Sequence, residues 1–122
     1  MVENELPYSL LSQTERIKLK NLVPLPMPLS LYVDPSSYCN YQCSFCARNH
    51  RDYHKFAGKD TFLDMDVFGK LSRELQEWGT LKSLKLYNLG EPFLNPNILE
   101  IIREAMQEKI AERIEITTNG SM

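Results

Sequence analysis

At 122 residues, 43% hydrophobic and 25% charged, the chain has the makeup of one small globular domain. That argues against disorder and leaves little length for a complete enzyme. Its net charge of -2, with both signs interspersed, lacks the basic field that would hold nucleic acid or an anionic membrane. No stretch approaches the roughly 20 apolar residues of a membrane span, and "MVENELPYSLL" begins acidic without a signal peptide's apolar run. The expectation is therefore a cytoplasmic protein with reduced thiols.

Residues 1–28 read as a lead-in. "SQTE", from Ser12 to Glu15, has the form of a capping box opening a short helix through about Leu22. "PLPMP" then stops that helix and forces an extended approach, because each proline removes a donor and fixes φ. The remaining residues, 29–122, read as the core.

In the core, "LSLYVD" (29–34) alternates as a strand does, and Pro35 closes it into a loop bearing all of the cysteines. Residues 49–61 are polar and aperiodic, a long loop. Phe68, Leu71, Leu75 and Trp78 fall at helical spacing, with Asp64 placed to cap the start and Gly79 to stop the end. "LKSLKLYN" (81–88) is the next strand. After "LGEPFLNP", Asn95 and Pro96 match an N-cap followed by proline at the first helical position. Ile98, Ile102, Ala105 and Met106 supply that helix with an apolar stripe, and "RIEITTNG" begins a last strand over 113–118.

Strands joined through helices favour a parallel sheet with right-handed crossovers. Ligands on such sheets collect at the carboxyl ends of the strands. The cysteines, "GEP" and "TNG" each follow a strand, so the three motifs should share one rim.

"CNYQCSFC" holds the 3 cysteines of the chain, Cys39, Cys43 and Cys46. In a reducing compartment such a cluster suggests metal binding more than a disulfide framework. The spacing would also fit one packed face of a helix, though Pro35, Ser36, Ser37 and Asn40 start a helix poorly. Zinc is an alternative: Cys43, Cys46 and His50 have knuckle-like spacing, and His54 could complete a tetrahedral site. An iron–sulfur cube fits best, since closely spaced thiolates can approach separate irons and leave one iron open to chelate a ligand. Tyr38, Tyr41 and Phe45 flank the cysteines and could shield a cluster from water.

The C-x3-C-x2-C pattern, with Asn40 after its first cysteine and Phe45 before its last, resembles that of the radical S-adenosylmethionine (SAM) enzymes. "LGEPFLNP" is similar to that family's glycine–glutamate motif and "ITTNG" to the polar end of its third strand. The resemblance runs from about Leu29 to Gly120. It implies the first three parallel strands and helices of a partial (βα) barrel. It also implies a [4Fe–4S] cluster on Cys39, Cys43 and Cys46, and SAM bound at the open iron. Phe45 would lie beside the adenine, Gly90 and Glu91 would contact the methionine amino group, and Thr118 and Asn119 would stand on the active-site wall. Leu89 occupies a place where many members carry another glycine. Reductive cleavage of SAM would yield a 5'-deoxyadenosyl radical that takes hydrogen from a peptide or small-molecule substrate. The electron donor would be a flavodoxin or ferredoxin. Since the family's barrel typically has further strands, the chain is expected to be a fragment, a truncated reading frame or half of an assembly. Its last strand would then offer an edge for self-association.

Overall fold

The computed structural model describes Lys20 and residues 23–122. Apart from Lys20, the helix expected between Ser12 and Leu22 lies outside the described residues. Residues 23–28 carry no helix or strand, as their prolines require.

The elements are β1 (Ser30–Tyr32), α1 (Tyr53–Ala57), α2 (Met65–Trp78), β2 (Ser83–Lys85), α3 (Ile98–Gln107) and β3 (Ile114–Glu115), the expected order with α1 added. Short 3-10 turns occupy Ala47–Asn49 and Pro92–Leu94. The strands form an open sheet in the order β1-β2-β3, and both pairings are parallel. Register aligns Leu31 with Leu84 and Leu84 with Ile114. This row belongs to the face that packs on the helices, joined beyond the strands by Leu86, Val33 and Ile116. The next row, Tyr32, Lys85 and Glu115, points to the opposite face, because side chains alternate along a strand. There Lys85 Nζ donates to the Tyr32 hydroxyl at 3.1 Å, and the Ser83 hydroxyl donates to Glu115 at 2.6 Å.

Helix α2 begins where expected. The Asp64 carboxylate accepts from the Asp66 backbone N–H at 2.7 Å, and Gly79, at φ 128°, closes the helix through its N–H to Leu75 O. Phe68 and Leu75 are buried with Leu81, Leu84, Leu86, Ile101, Ala105 and Ile110 in one core between helices and sheet.

Several expectations are corrected. Trp78 and Met106 are 61% and 64% exposed. The buried stripe of α3 is Ile98, Ile101 and Ala105, with Ile102 at its margin. Residues 49–61 are not all loop, since α1 forms there. Helix α3 starts at Ile98 after Asn97 rather than at Pro96. Asn95 makes the expected cap-type bond, its Oδ1 accepting from Asn97 N at 2.8 Å, and its Nδ2 also donates to Pro35 O at 2.6 Å and Leu63 O at 3.0 Å. A buried amide thereby links three loops on one side of the sheet. Strands expected at 81–88 and 113–118 pair over shorter spans, with Leu81 and Ala111 adding an isolated parallel bridge.

Candidate functional site

The cysteine loop leaves the carboxyl end of β1 through buried Pro35 and Ser36. Its entry is held by backbone pairing. Ser36 forms an antiparallel bridge with Phe62, and Ser37 exchanges hydrogen bonds with Thr61. Farther along, Cys46 N donates to Cys43 O at 2.9 Å, and Asn49 Nδ2 donates to the same carbonyl at 2.9 Å. Arg48, which opens onto this turn, makes a bidentate pair with Asp60 at 2.9 Å on each side and lies 5.5 Å from the centre of the Tyr53 ring. The loop is thus pinned at both ends while its middle remains open.

Cys39, Cys43 and Cys46 are free thiols, each partly exposed. Among the described residues no three His, Cys, Asp or Glu side chains gather closely enough to hold a metal ion. Among those residues the zinc reading therefore has no preformed site; His50 Nδ1 accepts from Asp52 N at 3.3 Å, and His54 Nδ1 lies 3.0 Å from Gly58 O. A cube makes a different demand. Each thiolate takes its own iron, so the sulfurs need not share one coordination sphere. The donor set of thiols on a partly exposed loop fits that chemistry.

The loop after β2 presses directly on the cysteine loop. A Cβ at Gly90 would stand 1.6 Å from Ser36 O and 2.8 Å from Tyr38 O, so only glycine permits this approach. Next to it, Glu91 N donates to Tyr38 O at 2.7 Å. The Glu91 side chain turns inward and is 1% exposed. Its Oε1 accepts from the Thr118 hydroxyl at 2.7 Å and Phe93 N at 3.1 Å, and its Oε2 accepts from Asn119 N at 2.7 Å. Burial pushes this carboxyl up, but the donations from Asn119, Thr118 and Phe93 outweigh it and leave it below its ordinary value.

Beyond β3, Asn119 closes the connection. Its Nδ2 donates to Asn40 Oδ1 at 2.9 Å and lies 3.9 Å from Cys39 Sγ, while its Oδ1 accepts from Ser121. The structure therefore brings together Cys39, Gly90, Glu91, Thr118 and Asn119 on one rim. Phe45 does not join them. It is 91% exposed and borders, with Cys46 and His50, a solvent-open hollow of about 400 Å³. Tyr38 stacks obliquely on Phe62 at 4.7 Å, and Tyr41 is half exposed.

Sequence reasoning missed Asp34, the residue before the loop. Burial raises its carboxyl above the ordinary value, against the backbone N–H groups of Leu89 and Ser36 and the charge of Arg48. Its Oδ1 is buried without a hydrogen-bond partner among the described residues. The only local signal was an aspartate ending a strand before Pro35.

Comparison with known proteins agrees with this arrangement. The family model described as the radical SAM superfamily matches residues 33–122. A tungsten-containing aldehyde ferredoxin oxidoreductase cofactor-modifying protein of Pyrococcus furiosus is 27% identical over 92 residues, covering 75% of this chain and 24% of that protein. A probable GTP 3',8-cyclase of Methanocaldococcus jannaschii is 32% identical over 91 residues, covering 75% of this chain and 28% of the relative. The chain thus spans about a quarter of the length of these relatives. Among solved structures, BtrN in complex with AdoMet and 2-DOIA superimposes with a TM-score of 0.67 at 21% identity, over 79% of this chain and 37% of that one. That likeness supports the fold, the opening strands of a partial barrel. With a family model covering most of its described residues, the chain belongs to the radical SAM superfamily.

Proposed function

We propose that this chain forms the cluster- and SAM-binding part of a radical SAM enzyme. The observation that carries the reading is the meeting on one rim of the cysteine loop with Glu91 and Asn119, which come from the ends of the other two strands. Cys39, Cys43 and Cys46 would hold a [4Fe–4S] cluster. When bound, the cluster and SAM would supply reductive cleavage to a 5'-deoxyadenosyl radical able to take hydrogen from substrate.

This chain's residues provide the frame. Gly90 lets two loops touch, Glu91 and Asn119 tie the third strand end to the first, and Arg48 anchors the loop after Cys46. Phe45, projecting into solvent, is available to cover the adenine. Thr118 donates its hydroxyl to Glu91 and accepts from Gly120 N at 3.1 Å, so a cofactor contact there would use its one remaining lone pair. A flavodoxin or ferredoxin would supply electrons, and a peptide or small molecule would be the substrate. Since β3 pairs on one side only among the described residues, the isolated 122-residue chain would self-associate through that edge. Sedimentation would test this, and a stable monomer would exclude it.

The deciding experiment is electron paramagnetic resonance of anaerobically reconstituted, reduced protein with and without SAM. A changed cluster signal on adding SAM is expected, because an open iron chelates it. A cluster indifferent to SAM would indicate a non-catalytic iron–sulfur module, and stoichiometric zinc without sulfide would indicate a zinc module.

A further inference from the structure

Glu91 is buried, at 1% exposure, and most of the acceptor capacity of its carboxylate is engaged within the chain. Both oxygens are committed to donors from its own chain, at 2.7, 2.7 and 3.1 Å. What those bonds fix is the end of β3. The Asn119 backbone is drawn onto Glu91, and its side chain is oriented by Ser121 on the carbonyl side and Asn40 on the amide side. Asn40 is tied in turn to Ser121, its Nδ2 donating to Oγ at 2.8 Å. The amide group left at the centre of this ring faces Cys39 Sγ at 3.9 Å. Cys39 and Asn119 lie far apart in sequence, so this contact adds a long-range donor to the local one that the Cys39 sulfur already has. Its other neighbour, the Tyr41 backbone N–H, is 3.5 Å away.

We propose that Asn119, clamped by Glu91, is a positioning residue for Cys39, aiming an amide N–H at the sulfur that ligates the cluster. The proposal rests on the cluster reading of the cysteines. Hydrogen bonds to cluster sulfurs favour the more electron-rich reduced state and so help set the reduction potential. A residue beyond the third strand thereby acts on a ligand beyond the first, with the Glu91 side chain working through Asn119.

The test is a potentiometric titration, followed by electron paramagnetic resonance, of the reconstituted protein and its variants. Asn119→Leu removes the amide and should shift the midpoint to a more negative potential, with iron and sulfide content retained because all three cysteines are unchanged. Asn119→Asp, of equal size and still able to donate from its backbone to Glu91, should shift it the same way. Glu91→Gln should give a smaller shift of the same sign and add nothing in the Asn119→Leu background. Loss of the cluster from both Asn119 variants, with unchanged circular dichroism, would also assign Asn119 to placement of the cysteine loop. A wild-type midpoint in either variant, or additive shifts from Glu91 and Asn119, would overturn the proposal.

A second readout needs no iron. In the metal-free protein, hydrogen exchange at the Asn119 amide should accelerate on Glu91→Gln, and unchanged exchange would overturn the clamp. If the wild-type protein takes up no cluster, the cluster reading fails, and this exchange measurement still decides whether the clamp exists.

Discussion

The helix-covered face of the sheet and its carboxyl rim are held by different forces. Beneath the helices, Phe68, Leu81, Leu84, Leu86, Ile101 and Ala105 are fully buried, and burial of apolar area supplies the stabilisation. At the rim the buried groups are polar: Ser36, Glu91 and Asn95, each satisfied by named partners. Apolar packing tolerates small displacements because it is nondirectional. Hydrogen bonds fix angles and distances, so a rim built from them can hold its loops and the Cys39 side chain in a set direction. The first region makes the fold stable; the second makes its loops converge.

The sharpest way to break the first region is Phe68→Ala. The ring is 0% exposed, and its removal leaves a cavity between α2 and the sheet, costing about 3–5 kcal/mol. Against a total stability of roughly 5–15 kcal/mol for a domain, that is a large fraction. Denaturant unfolding of the metal-free protein should show the midpoint fall, and a loss under about 1 kcal/mol would mean the core repacks far more freely than this burial implies.

Gly90→Ala attacks the rim through backbone sterics. Its Cβ would meet Ser36 O at 1.6 Å, an atom that cannot rotate away, so the two loops must separate. The loss should approach about 3 kcal/mol. Unlike Phe68→Ala, it should also lower iron incorporation by moving the start of the cysteine loop. Wild-type iron uptake by the folded variant would show that loop contact at Gly90 is not needed for the site.

The polar character of the rim should also be visible in pH. Glu91 titrates below its ordinary value in the fold, so its contribution is fully present above the unfolded carboxyl value, about 4.3. It is lost as pH falls through the depressed folded value. Asp34, raised by burial, works in the opposite sense: its penalty is absent at low pH and appears as pH rises from the unfolded value through the folded one. Glu91→Gln should therefore flatten the acid-side decline by about 1–2 kcal/mol, measured by urea unfolding across that range. An unchanged decline would assign acid lability to other carboxylates.

These two regions also differ in how far the sequence disclosed them. Asp64, Gly79 and the spacing of Phe68 and Leu75 announced α2, because capping and periodicity act between near neighbours. Parallel strand order followed from alternation of strands and helices. At the start of α3, Asn95 accepts from Asn97 N as a cap does, although regular helix begins only at Ile98; the bonds of its amide to Pro35 and Leu63 reach distant partners that local pattern cannot reveal. Trp78 and Met106 extended each apolar stripe by one position, yet both face solvent, since spacing marks a sector wider than the contact. The cysteines, Gly90, Glu91 and Asn119 were visible as motifs on one rim. That Glu91 binds Asn119 rather than facing outward was not visible, because it depends on the register between β2 and β3.

The smallest expected effect on stability belongs to the residue most exposed to function. Cys43 is partly buried, and its carbonyl serves the turn by accepting from Cys46 N and Asn49 Nδ2. Its thiol takes part in neither bond. Cys43→Ala keeps that backbone and should change the stability of the metal-free protein by no more than about 0.5 kcal/mol. Two remaining thiolates hold a cube poorly, so iron and acid-labile sulfide after reconstitution should fall to a small fraction of wild type. Denaturant unfolding of the metal-free variant, paired with iron and sulfide analysis, separates ligand from packing residue. A loss near 2 kcal/mol with full iron retained would make Cys43 a small hydrophobe of the loop. Unchanged stability with lost iron places its energy where the rim's polar frame directs it, in the bound cluster rather than in the fold.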